Sequence, residues 1–348
     1  MTNLFNYVEK YGDINFKNKE FNDIDNLVFS LLLYLDFTNT NVNNKNTLEI
    51  VGREYLSKNK FKDIKKLGVS QREAYKLLEI LVNKPRYKDI ILSNYIYNVN
   101  KDMQFSVMTF KLSKKLKYIC FEGTDEMISG WKEDAELACF FPVPSQIEAI
   151  KYVNKNTKLF GAKVILGGHS KGGNLALVSG MYMKKYKKFK VKRIYNNDGP
   201  GLRKKEFESK EYKNIKKKYI HIVPHSSIIG MLLRNDSYTV VKANYNNIIA
   251  HFLHNWIVED DKLKNCKLSK KSKNLEKNIL VWLDKHDDTK RIKIVNTVFR
   301  ILEKNNIDVT MDLIKIKNII KIINNLRNLD KQTKQLITDL IMFNNKNV

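Results

Sequence analysis

The chain has 348 residues, with 63 Lys and Arg against 37 Asp and Glu, a formal net charge of +26. Its 43% hydrophobic and 11% aromatic residues exclude a disordered or collagen-like polymer, and no apolar run reaches the roughly 18 residues of a membrane span. Three scattered cysteines (Cys120, Cys139, Cys266) suit neither a disulfide framework nor a zinc site, and the opening MTNLFNYVEKYGD lacks the basic-then-apolar pattern of a secretory signal. A soluble, cytoplasmic protein is the expectation.

The charge invites a nucleic-acid or anionic-membrane reading. It is spread along the chain, however: residues 261–348 hold 20 basic and 10 acidic residues, which leaves 43 and 27 for residues 1–260. No helix-turn-helix, zinc-finger or aromatic RNA-binding signature stands beside it, so nucleic acid is not the expected partner.

From the N-terminus, residues 1–100 read as a helical lead-in. Asp23 or Asp25 would cap an apolar stretch running to Leu35. Ser70 would cap a second helix through Leu81, ended by Pro85. Eleven of the fourteen glycines fall between Gly123 and Gly230, where the unusual backbone should lie. There, short β-rich runs alternate with helical stretches. Strands are expected at 106–112 and 116–123 as a hairpin, then at 162–168, 191–198, 218–224 and 238–243. Helices are expected at 144–160, capped by Ser145, and at 172–186. Strands separated by helices of this length imply a mainly parallel sheet. From about Asp261 onward only amphipathic helical runs remain, near 276–285, 289–305, 309–326 and 330–343. The expected organisation is therefore a 1–260 α/β domain, with its core at 101–260, and a helical extension over 261–348.

The chemistry-bearing segment is VILGGHSKGGNLAL. Gly168-His169-Ser170-Lys171-Gly172 fits G-x-S-x-G between an apolar strand and a small-residue helix, the context a nucleophile elbow requires. Ser170 would project above the sheet at a helix N-terminus that favours developing negative charge. The backbone N–H of Lys171, the residue after the nucleophile, is the first oxyanion donor in such a site. A serine there needs a base. Of six histidines, His169 lies inside the elbow, His286 lies in the extension, and His221 and His225 come too early for a Ser–acid–His order. His251 and His254 remain. Asp198, ending the strand after the nucleophile helix, is the leading acid. Asp236 and a dyad assisted by Ser227 stay open beside it.

GGHSKGGNLA, preceded by FEGTDEMISGWKED and followed by YNNDGPG and VPHSSIIGMLL, resembles the Mbeg1-like family of bacterial α/β-hydrolases and, more distantly, the class 3 lipases. The resemblance spans about residues 3–261. It implies an α/β-hydrolase fold. It favours His251, because the family's histidine stands five residues before a Trp, as His251 does before Trp256. It places the amide and hydroxyl of Thr124, in the loop after YICFEG, on the oxyanion with Lys171, and leaves Asp134 to anchor that loop. The lipase aspartate after KYIHIVP is replaced here by His225-Ser226-Ser227. The implied reaction is hydrolysis of an ester or thioester through an acyl-enzyme, on a small or lipid-like acyl substrate. The alternative is a non-catalytic binding or scaffold protein that retains the fold.

Three further features read as structural. The basic run KKYKKFKVKR (184–193) is taken as a solvated face away from the site. Met181, Met183 and the residues near Ile228–Leu233 line an acyl pocket or fill core. His251-x-x-His254 lacks the supporting ligands of a metal site, and neither metal nor cofactor is expected. The charge leaves room for weak association with an anionic membrane surface.

Overall fold

The computed structural model describes residues 2–64, 67–100, 103–124 and 128–305, together with 307, 325, 329–331 and 333–335. Six helices come first: α1 (Leu4–Tyr11), α2 (Asp23–Leu32), α3 (Leu48–Lys58), α4 (Phe61–Ile64), α5 (Val69–Leu81) and α6 (Pro85–Lys88). The cap of α2 is Asn22, not either aspartate. Its side chain accepts from the amides of Ile24 at 3.0 Å and Asp25 at 3.1 Å, while Asp25 reaches back to the Asn22 amide at 3.0 Å. Asp25 has a second task that explains its place inside the helix. Its carboxylate takes a bidentate bond from fully buried Arg86 (2.8 and 2.6 Å) and one from Tyr87 (2.8 Å). The remaining guanidinium donors reach the carbonyls of Ile14, Lys19 and Glu20, so the buried pair is satisfied throughout. Helix α5 begins after Gly68, two residues earlier than a Ser70 cap would set.

Seven strands form one sheet in sequential order: β1 (Ile91–Asn100), β2 (Met103–Lys111), β3 (Leu116–Phe121), β4 (Lys163–His169), β5 (Val191–Asn197), β6 (Tyr219–Pro224) and β7 (Thr239–Val241). The first three are antiparallel and β3 through β7 are parallel. Strand β1 corrects the helical reading of residues 1–100. ILSNYIYNVN is rich in β-branched and aromatic residues, but beyond a single bridge from Ile91 to Thr47 its one strand partner among the described residues is β2, and its second half is exposed, so no buried stripe announces a strand. A small antiparallel pair, β8 (Val258–Glu259) and β9 (Lys262–Leu263), follows.

The connections hold α7 (Ile128–Glu136), α8 (Pro144–Asn156), α9 (Lys171–Met181), α10 (Lys204–Phe207) and α11 (Lys210–Ile215). Pro144 opens α8 and Val143 is its N-cap, because Pro at the first helical position needs no donor; Ser145 instead gives its amide to Glu133 at 3.1 Å. Successive strand residues point to opposite faces. Tyr118 and Cys120 therefore join Leu27, Phe29 and Trp256 in one core, while Ile119 and Phe121 join Leu175 and Val178 of α9 in the other. The N-terminal helices are thus one layer of a three-layer α/β-hydrolase fold.

The C-terminal helices α12 (Lys270–Lys285) and α13 (Asp288–Lys304) pack onto this body. Phe299 and Leu302 of α13 lie against Trp131 and Ala135 of α7, and Arg234 pairs with Asp284 of α12. The expected helices at 309–326 and 330–343 fall almost wholly outside the described residues. Among the described residues, no helix is long and apolar enough to cross a membrane.

Candidate active site

Strand β4 ends at His169 and α9 begins at Lys171, leaving Ser170 alone to make the turn at φ 56° and ψ −129°. A non-glycine residue adopts that backbone only when its surroundings hold it there. The Ser170 amide donates to the Asn197 carbonyl at 2.9 Å, and its own carbonyl accepts from Gly173 at 3.0 Å. Gly168 and Gly172 allow the close approach. A Cβ at Gly168 would sit 2.4 Å from the Phe121 carbonyl oxygen, and one at Gly172 would sit 2.2 Å from the same atom. Backbone cannot yield as a flexible side chain can, so these two positions admit no side chain.

Asp198 stands immediately past β5, itself at a positive φ of 52°, and is fully buried. Its Oδ2 lies 2.7 Å from His251 Nδ1, while Oδ1 accepts from Ser227 Oγ at 2.5 Å and from the Gly230 amide at 3.2 Å. A carboxylate can only accept, so Nδ1 of His251 carries the proton and Nε2 is left with a lone pair. Burial pushes the Asp198 carboxyl above its ordinary value, opposed by the His251, Ser227 and Gly230 bonds. His251 ends a short 3₁₀ turn (Ile248–His251). The following loop is tied down by Trp256, which is fully buried and donates from Nε1 to the Ala250 carbonyl at 2.9 Å.

The structure separates the other candidates from this pair. Asp236 bonds Tyr212 at 2.7 Å and Lys216 at 3.0 Å. His254 is depressed by burial and lies under the charges of α5, near Glu73, Lys76 and Arg72. His225 bonds Asn246 at 2.6 Å, and buried His221 is pushed down to about 3 by desolvation. Among the described residues, no cluster of His, Cys, Asp and Glu is arranged to hold a metal. Met181 and Met183 are buried in the α9 core rather than in a pocket.

His169 does more than the sequence reading allowed. Its ring packs 4.3 Å from that of His251, its Nε2 bonds the His251 carbonyl at 2.9 Å, and its Nδ1 bonds the Tyr34 hydroxyl at 2.7 Å. Because the carbonyl only accepts, Nε2–H donates and Nδ1 accepts from Tyr34. Burial first, and the neighbouring His251 second, hold this imidazole well below its ordinary value, so it stays neutral as a platform for His251. Tyr34, just past α2, brings the N-terminal layer into the site. No local motif marks it, since the pairing spans 135 residues.

Thr124 follows β3 and donates its hydroxyl to Asp134 Oδ2 of α7 at 2.7 Å, so the expected hydroxyl donor to an oxyanion is already engaged and the backbone amide is the donor that Thr124 has left to offer. Burial raises the Asp134 carboxyl to about 6. The Lys171 side chain is buried and makes its own anchor. Its ammonium donates to Glu133 at 2.9 Å and to the Gln104 carbonyl at 2.8 Å, and Glu133 also accepts from the amides of Ser145 and Gln104. This buried pair ties the residue after Ser170 to α7, β2 and α8 at once. Glu133→Gln should lower stability by about 3–5 kcal/mol, because it strands a buried ammonium. Thermal unfolding of Glu133→Gln beside Glu133→Gln/Lys171→Met checks this, and the double variant should recover most of the loss. A drop in the single variant no larger than for breaking the exposed Lys151–Glu148 pair would refute it.

No curated protein sequence matches the chain. Similar solved structures include a fungal lipase–inhibitor complex (13% identity, TM-score 0.38, covering 64% of this chain and 78% of that one) and M37 lipase (14%, 0.36, 61% and 69%). A Rhizomucor miehei lipase–propeptide complex is similar at 17% identity and TM-score 0.35. That match covers 45% of this chain and spans 58% of the lipase chain. The Mbeg1-like family model matches residues 81–300, from the end of α5 through most of α13, so it takes in β1 and the first two C-terminal helices and leaves out the first 80 residues. With well over half of its length matched, the chain belongs to the Mbeg1-like family.

Proposed function

We propose that this protein is a serine hydrolase that cleaves a carboxylic ester or thioester through an acyl-enzyme. The observation that carries the reading is the 2.7 Å bond between His251 Nδ1 and buried Asp198, formed beside a serine held in a strained elbow. In this reading Ser170 Oγ attacks the carbonyl carbon as His251 Nε2 takes its proton. The amides of Thr124 and Lys171 hold the oxyanion. The imidazolium then protonates the departing alkoxide or thiolate, and the serine ester remains. Water attacks that ester with His251 again as base, releasing the acid and restoring Ser170. Every step uses this chain's own groups and water.

Exposed apolar residues near His251 and Ser227 support an acyl substrate. Ile248 and Ile249 lie on the turn that carries His251, and Ile228 adjoins Ser227; all three are exposed. The two loops touch where Ser226 Oγ donates to the Tyr245 carbonyl at 3.3 Å. Isolated exposed apolar residues are ordinary, but three on the loops that carry His251 and Ser227 suit an acyl chain. A fluorophosphonate probe tests the proposal directly. Wild-type protein should be labelled at Ser170 and the Ser170→Ala and His251→Ala variants should not. A folded wild-type protein that resists the probe would instead be a binding or scaffold protein that keeps the fold.

A further inference from the structure

Parallel strands all start at one end of their sheet, so the segments that lead into β3, β4, β5 and β6 are brought together there. They are LSKKLK (112–117), TKLFGAK (157–163), KKYKKFK (184–190) and KKK (216–218). The segments touch one another. The Lys163 amide donates to the Lys115 carbonyl at 2.9 Å, Lys190 Nζ to the Gly161 carbonyl at 2.5 Å, and Lys218 Nζ to the Lys188 carbonyl at 2.9 Å. Together they hold thirteen lysines and no Asp, Glu or Arg. Among the described residues, the one ion pair any of them makes is Lys216–Asp236. The crowding is felt locally. Burial first, and like charge second, pull Lys117 down beside Lys158 and Lys111, and Lys218 down beside Lys163.

Apolar rings stand among these charges. Phe160 is 91% exposed, at the tip of its loop, and Phe189 and Tyr186 are 60% and 55% exposed. Such rings beside a concentration of lysines with a single ion pair among them match an anionic interface with an apolar layer beneath it. A nucleic acid would be read with guanidinium forks or side-chain amides, and these four segments contain no Arg, Asn or Gln. Lysine is a hydrated point charge suited to a diffuse field of headgroups.

We propose that this end of the sheet is a docking face for an anionic phospholipid bilayer, with the lysines against the headgroups and Phe160 and Phe189 entering the interface. Ser170 lies at the opposite end of β4, about 20 Å away along a seven-residue strand. The docked protein therefore holds its candidate active site toward solution, away from the bilayer.

Co-sedimentation with vesicles of phosphatidylserine in phosphatidylcholine, against pure phosphatidylcholine, tests the docking face whether or not the serine is reactive. The full chain should bind the anionic vesicles only, and lose most binding as salt rises from about 0.1 M to about 0.5 M. Lys158→Glu/Lys185→Glu/Lys217→Glu should weaken binding by more than about tenfold. Phe160→Ser/Phe189→Ser should weaken it while keeping its salt dependence. These residues are exposed, so circular dichroism should show folded variants. Equal binding to neutral vesicles, or undiminished binding by the lysine variant, would overturn the proposal. So would duplex DNA binding without vesicle binding, or loss on Ile248→Ser/Ile249→Ser while the lysine and phenylalanine variants still bind.

Discussion

Ser170→Ala is expected to remove p-nitrophenyl ester turnover, lowering kcat by about 10⁶ if the acyl-enzyme route is the only one available. The size follows from how the site is assembled. Ser170 is the sole residue of the strand-to-helix turn, and its φ of 56° is held by its amide bond to Asn197 and by two glycines packed on the Phe121 carbonyl. Nothing else in the turn presents a nucleophile in that position. Alanine keeps the Cβ that strains this backbone, so the strain is the same in both and the variant should unfold close to wild type. Loss of turnover with an unchanged unfolding midpoint is the expected pair of results. Turnover that persists in the folded variant would place the chemistry elsewhere.

Asp198→Asn should cost about 10⁴ in kcat at neutral pH with little change in KM. The asparagine fills the same volume, and its carbonyl can still accept from Ser227 and Gly230. What changes is the group facing His251. An amide NH₂ there would drive the imidazole to the tautomer protonated on Nε2, which cannot take the serine proton. Ser227→Ala removes only one of the bonds that hold Asp198 and leaves the His251 contact and the Gly230 amide in place, so its loss should not exceed about 100-fold. Near-normal activity in Asp198→Asn with collapse in Ser227→Ala would reverse the assignment and make Ser227 the supporting group.

Much of this was legible locally. Gly168, Ser170 and Gly172 are three of five consecutive residues, and a short apolar strand and a small-residue helix flank them, so the elbow is a local fact. The parallel strands were legible for the same reason, since buried strands read as continuous apolar runs. Strand β1 was not, because it is an edge strand whose second half is exposed, with a single bridge to Thr47 on its outer side. The α2 cap falls on Asn22 rather than Asp23 or Asp25, and the partner that holds the Asp25 carboxylate, Arg86, is 61 residues away.

The sequence by itself determined the turn at Ser170, the alternation that makes the sheet, and a short roster of candidate acids and bases. Only the tertiary structure shows which of them lie together. Asp198 and Asp236 are both aspartates near strand ends, but β5 places one against His251 while the other is held by Tyr212 and Lys216. Tyr34, His169 and Glu133 acquire their roles through partners tens of residues distant. The charge divides in the same way. Composition fixes its size, but only a parallel sheet, whose strands share one starting end, gathers four separate lysine segments onto one face.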